Sequence, residues 1–311
     1  MTTPQSGITR AQLIANGLTP AEIEARLRAG LLHRVRRGVY CTSEELSPRE
    51  AHRRLITATL PLVDTSSVFT HQSAAVLHGL PLPDVPVSVL MTRRTNGHGD
   101  RSEAMRVRHT VLADDEVTFI DGIPVTTLAR TASDLARLLP YEWGVAVCDA
   151  ALHVGLPKEL LRAAVTRHRK LRGNPKARMA TQFADGRAES PAESRSRVQI
   201  ARAGLPEPVP QYEIYDSNGV FVARTDFGWP AYQLIGEVDG KWKYGDLLKP
   251  GQSPQDAIMQ EKRREEAIRQ AGFWPVRWDV PALERYGEVP RLVQRALELQ
   301  RRSFAAARIG P

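Results

Sequence analysis

Hydrophobic and polar positions change period several times along this chain, and each change marks an element. Ile8, Leu13 and Ile14 predict a short helix, capped by Thr9 and stopped by Asn16-Gly17. Thr19-Pro20-Ala21-Glu22 opens a second helix, with cap, first-turn proline and capping-box acid in their expected places. Ile23 and Leu27 supply its apolar face and Gly30 closes it. Leu31 to Tyr40 then alternates around Arg36-Arg37-Gly38, which predicts two short strands. The first 48 residues thus read as helix, turn, helix and basic hairpin.

From residue 49 to about 170 the pattern mixes both periods, as an α+β module does. Ser67 to Leu80 is a strand running into a short helix stopped by Gly79 and Pro81. Val85–Met91, Met105–His109 and Gly122–Thr126 are strand candidates. Helices are expected over 128–139, 142–153 and 157–169. His71 and His78 have no third ligand nearby and are expected to be structural histidines rather than a zinc site. Residues 171–188, basic at the start and broken by Gly173 and Pro175, read as a linker.

The last segment, 189–311, opens with a helix capped by Ser190 and led by Pro191. Glu193 and Arg197, four apart on it, suit an ordinary ion pair. Strands follow over 212–215 and over Val220 to Thr225, with Asp226 at the end of the second, and then over Leu234–Asp239. A helix over 256–271, a strand over 273–278 and an amphipathic helix over 291–307 complete the chain.

Length and composition narrow the class. The 311 residues exceed one typical domain, and a hydrophobic content of 42% with 25% charged residues is that of a globular protein able to build a core. No apolar run reaches the ~18 residues of a membrane helix, and the N-terminus lacks a signal-peptide core, so a cytoplasmic protein without membrane contact is expected. Cys41 and Cys148 are too few for a disulfide framework. The net charge of +8 suits a polyanionic partner.

Candidate chemistry falls at the two ends. Arg26, Arg28, Arg34, Arg36 and Arg37 cluster on the second helix and the hairpin, where a winged helix-turn-helix makes its DNA contacts. Near the other end, Asp226 pairs in a hairpin with a strand carrying Glu237 and Asp239. Residues two apart on a strand share a face. Carboxylates gathered there repel one another unless a proton or cation sits among them. Mg²⁺ or Mn²⁺ on such oxygens, with a phosphate, is the arrangement of metal-assisted phosphodiester hydrolysis.

The spacing Asp226, then Glu237-Val238-Asp239-Gly240, between an acidic and a basic helix, resembles very-short-patch-repair-like nuclease domains of the wider PD-(D/E)xK group. That resemblance, over roughly Glu189 to Val280, implies an α-β-β-β-α-β core within an endonuclease-like domain of residues 189–311. It also implies a metal held by Asp226, Glu237 and Asp239, with Glu193 as an outer ligand. Asp239 stands where that pattern has lysine, so Lys241 or Lys243 is expected to supply the cation. Residues 1–48 resemble the winged-helix domain of AbiEi-type antitoxins. The stretches His71-Gln72-Ser73-Ala74-Ala75-Val76-Leu77-His78-Gly79-Leu80 and Pro124-Val125-Thr126-Thr127-Leu128 onward resemble the module that follows it. This second resemblance implies self-regulating DNA binding, with a cognate toxin or a second copy as further partners. Two functions are expected from these features: a metal-dependent DNA endonuclease, or a transcriptional regulator and type IV antitoxin whose nuclease-like domain does not cleave.

Overall fold

The computed structural model describes residues 8–42, 46–93, 105–109, 111–239 and 253–307. The described residues are α+β with three sheets. Chain contacts divide them into one unit of Met1–Leu139 with Leu156–Thr181 and a second of Pro140–Gly155 with Gln182–Pro311.

The first unit begins with β1 (Ile8–Thr9), α1 (Arg10–Ala15), α2 (Pro20–Arg28), β2 (Leu32–Arg36) and β3 (Val39–Thr42), with strands ordered β1-β3-β2. Thr9 and Thr19 each close a capping box, the second with Glu22, as their spacing predicts. Leu13, Ile23, Leu32 and Tyr40 form the small core beneath these elements.

The remainder of this unit is α3 (Pro48–Thr59), β4 (Ser67–Phe69), α4 (His71–His78), β5 (Val89–Arg93), β6 (Met105–His109), β7 (Val117–Ile120), β8 (Ile123–Thr126) and α5 (Leu128–Leu138), joined by the stretch Leu156–Thr181 that follows the second unit's first helix. The five strands are ordered β6-β5-β4-β8-β7 around Phe69, Val89, Met91 and Val125. The strand expected from Val85 begins only at Val89, because Pro83 and Pro86 remove ladder donors. Strand β7 has no counterpart in the sequence reading. His71 rests on Thr70 and His78 on the Thr126 carbonyl, so each has a structural partner.

Domain boundaries differ most from expectation. Helix α6 (Tyr141–His153) belongs to the second unit, while α7 (Lys158–Arg167) and α8 (Asn174–Phe183) follow it. The expected linker 171–188 is therefore largely helix α8. Asn174, Ala177, Ala180 and Thr181 bury one face of it, and Asn174 Nδ2 donates to the Val165 and His168 carbonyls. Its basic residues interrupt that stripe and conceal it in the sequence.

The second unit continues with α9 (Pro191–Arg202), β9 (Val209–Tyr215), β10 (Phe221–Trp229), β11 (Leu234–Asp239), α10 (Pro254–Gln270), β12 (Trp274–Asp279), α11 (Val280–Glu284) and α12 (Glu288–Ala307). From α9 to β12 the element order is α-β-β-β-α-β. The sheet is ordered β12-β11-β10-β9, with β12 parallel to β11 and the other pairs antiparallel. One core joins Ile200, Phe227, Trp229, Leu234 and Trp278 to Val289, Val293 and Leu297 of α12. The rings of Phe227 and Trp278 stack at 5.6 Å. A second core, Ile214, Ala223, Ile235 and Ile268, holds α10. Two glycines permit this packing: a Cβ on Gly228 would lie 2.3 Å from the Tyr212 ring, and one on Gly236 would lie 2.8 Å from that of Trp278. The expected Glu193–Arg197 pair does not form. Arg197 instead reaches the fully buried Asp149 of α6 at 3.0 Å.

Candidate active site

Register brings the polar residues of the second unit into one row across its sheet. Thr225 faces Tyr212 and Phe227 faces Pro210, which sets Gln211 of β9 beside Asp226 of β10. Phe227 faces Gly236, so the next pair outward is Asp226 with Glu237 of β11. Glu237 in turn faces Arg277 of β12. Asp226 therefore lies within β10, which runs on to Trp229, rather than at a strand end.

Helix α10 completes the row by simple periodicity. Ile235 packs with Ile268 of α10. Two residues on along the strand and one turn back along the helix, Glu237 meets Arg264. Arg264 Nη2 donates to Glu237 Oε1 at 2.5 Å, and Arg277 Nε donates to Oε2 at 2.9 Å. Glu237 is only 9% exposed, and two guanidiniums compensate its buried charge. Glu261, one turn before Glu265 on α10, accepts from both arginines, at 3.3 Å from Arg264 and 2.7 Å from Arg277.

Glu193 enters from α9. Ser190 caps that helix by accepting from the Glu193 N–H at 3.1 Å. The Glu193 carboxylate, 5% exposed, accepts at Oε2 from the Glu189 N–H at 3.0 Å and from Gln211 Nε2 at 2.9 Å. Gln211 holds that position with φ of 52°, a left-handed conformation rare for a residue with a side chain.

Asp226 Oδ2 accepts from the Val238 N–H at 2.7 Å. Burial pushes its carboxyl up to about 6, and the charges of Glu193 and Glu237 add to the rise against the opposing Val238 hydrogen bond and Arg264. Asp239 is also raised, by burial first, with Glu237 and Asp279 adding and Arg277 opposing. Strand β11 sets Asp239 directly beside Asp279.

The expected ligand set is thus assembled differently. The negative charges acting on Asp226 come from Glu193 and Glu237, and Glu237 also acts on Asp239. Among the described residues, no group of three His, Cys, Asp or Glu is arranged to hold a metal ion. Both oxygens of Glu237 are paired with arginine. Among the described residues, hydrogen bonds reach Asp226 only at Oδ2 and Glu193 only at Oε2, which leaves one oxygen on each for a cation. Two carboxylates with substrate phosphate meet the needs of Mg²⁺. Lys241 and Lys243 lie outside the described residues.

Sequence reasoning missed Gln211 and Arg277, since neither belongs to a motif and only strand register brings them in. Arg264 was visible only as one of a basic run. In the first unit, Arg26 and Arg28 lie exposed in the last turn of α2, Arg34 is exposed on β2 and Arg37 is exposed in the hairpin turn. The backbone of Arg36 belongs to β2, and its side chain lies outside the described set.

No family model matches the chain. It is 38% identical over 128 residues to two proteins described as uncharacterized, from Mycobacterium tuberculosis strains CDC 1551 and H37Rv. That match covers 40% of this chain and 47% of each relative, so the chain spans about half the length of the curated relatives it matches. Among solved structures, it is similar to the crystal structure of the RV2827C protein from Mycobacterium tuberculosis at 13% identity and a TM-score of 0.38, covering 68% of this chain and 83% of that one. No helix among the described residues is long and apolar enough to cross a membrane.

Proposed function

We propose that this is a DNA-binding protein whose second unit hydrolyses phosphodiester bonds with the help of Mg²⁺ or Mn²⁺. The observation that carries this reading is Asp226, a half-buried acid whose carboxyl is pushed up to about 6, with the charges of Glu193 and Glu237 adding to the rise. Such gathered negative charge is the setting of a cation site. The α-β-β-β-α-β order from α9 to β12 agrees with the nuclease-like resemblance of its sequence.

In this reading Asp226 and Glu193 hold the cation through their open oxygens, and Gln211 keeps Glu193 turned toward Asp226. A bound divalent ion would supply charge for a phosphoryl oxygen and acidify a water molecule. Arg264 and Arg277 would take the role expected of the missing motif lysine. Their forked guanidiniums, now on Glu237, suit phosphate oxygens as well as carboxylates. The exposed arginines of α2 and the β2–β3 turn provide DNA contact in the first unit.

One observation favours a second reading, that of a regulator or antitoxin which binds DNA without cutting it. Glu237, the central acid of the motif, is neutralised by two arginines, and Asp239 replaces the motif lysine. Supercoiled plasmid incubated with protein and Mg²⁺ or Mn²⁺ separates the two. Hydrolysis by wild type and its loss in Asp226→Ala and Glu237→Ala support the nuclease. Intact single-stranded, duplex and mismatched substrates, together with retained duplex binding, support the regulator.

A further inference from the structure

The five-stranded sheet of the first unit ends in two unlike edges. Strand β6, at one edge, carries the exposed Arg106 and Arg108. Such charges guard an edge against pairing with another chain. Strand β7, at the other, reads Val117-Thr118-Phe119-Ile120, with no charge, no proline and no shift in its register with β8. Phe119 is 69% exposed there. Cavities of about 580 and 350 Å³ open beside this strand, the first lined by Thr118, Ile120 and Leu160 of α7, the second by Val117, Val68 and Pro124.

The hairpin turn decides which backbone groups this edge offers. Asp121 and Gly122, with φ of 50° and 77°, form the two-residue left-handed loop that closes a hairpin on a hydrogen-bonded pair, here Ile120 with Ile123. Antiparallel pairs alternate, so Thr118 bonds to β8 while Val117 and Phe119 do not. The Glu116 carbonyl, which accepts the Thr127 N–H at 2.9 Å, follows the same alternation. Pro124, with no N–H to give, stands opposite Phe119, where none is needed. The N–H and C=O groups of Val117 and Phe119 therefore point outward from the sheet.

We propose that this edge pairs with the same edge of a second copy of the chain, antiparallel about a twofold axis at Thr118. In that register Val117 of each copy faces Phe119 of the other, and every outward N–H and C=O of both residues finds its partner. The side chains match as well, with an aliphatic–aromatic pair at each end of one face and Thr118 against its own copy on the other. The Asp115–Arg167 pair of one copy falls at the same end as the Asp121–Arg53 pair of the other, so acids and arginines balance there. A foreign strand would have to supply these matches, whereas a twofold axis makes one edge self-complementary. The pairing is independent of the nuclease reading, because it concerns the first unit alone.

Sedimentation equilibrium of the full chain up to about 100 µM tests it, and should show a monomer–dimer equilibrium with a micromolar dissociation constant, as suits a small interface. Phe119→Lys sets a charge on the strand, twice in each dimer, and should raise that constant at least about tenfold. Its position is exposed, so the circular dichroism spectrum should stay unchanged. In a Cys41→Ser background, Thr118→Cys should form a disulfide between copies under mild oxidation. Cα atoms of such non-hydrogen-bonded partners stand about 4.5 Å apart, within disulfide reach. Ile120→Cys, offset from its copy by about 13 Å along the strands, should not cross-link. A chain still monomeric at the highest concentration, wild-type association in Phe119→Lys, or cross-linking of Thr118→Cys no better than that of Ile120→Cys would each overturn the proposal.

Discussion

Replacing Asp226 by asparagine should make the second unit more stable at neutral pH and, on the proposed function, abolish plasmid hydrolysis. A carboxyl raised from 3.8 to about 6 is strained as an anion in the folded state. At 1.36 kcal/mol for each tenfold change in acidity, that rise amounts to roughly 3 kcal/mol. Asparagine keeps an oxygen to accept the Val238 N–H, so it relieves the charge without orphaning the donor. Because Asp226 retains some solvent contact, the gain expected at about pH 7.5 is about 1–3 kcal/mol. The sign follows from linkage. The folded protein holds the proton more tightly than the unfolded chain, so wild-type stability falls as pH rises from about 4 through about 6. The advantage of the variant should therefore vanish near pH 4 and be complete above about pH 7. Urea unfolding followed by tryptophan fluorescence reads this unit selectively, since Trp143, Trp229, Trp242, Trp274 and Trp278 all belong to it. Asp149, also raised to about 6, titrates in both proteins and cancels in the difference. A variant less stable than wild type at neutral pH, or a difference independent of pH, would refute the reasoning.

Three further outcomes follow from the same structure. Asp149→Ala strands Arg197, only 4% exposed, in the interior, and should cost about 3–5 kcal/mol by urea unfolding. Gly228→Ala drives a methyl into the Tyr212 ring and should cost about 1–3 kcal/mol, where a mere surface glycine would cost nothing. If α2 contacts phosphate, Arg26→Ala with Arg28→Ala should lower the slope of log binding constant against log salt by about 2 in fluorescence anisotropy on duplex DNA. An unchanged slope assigns contact elsewhere.

Much of the local structure was legible in the chain. Thr9, Thr19 and Ser190 announce helices because a cap is a contact between residues three apart. Gly79 ends α4 in a left-handed conformation for an equally local reason. The hairpin of β10 with β11, and the order of elements around it, follow from alternation and turn residues. Helix α8 and strand β7 were hidden, since a small-residue stripe interrupted by Lys176 and Arg178 and a four-residue edge strand carry almost no periodic signal.

The candidate site divides in the same way. Sequence alone determined that Asp226, Glu237 and Asp239 lie on neighbouring strands, because the hairpin that joins them is short. Only the tertiary structure decided which charges they meet. Arg264 and Arg277 come to Glu237 from a helix and a parallel strand 27 and 40 residues away, and Gln211 reaches Glu193 across 18. Register and helix docking set those meetings, and both depend on how Ile235 and Ile268 bury themselves, which no local spacing encodes.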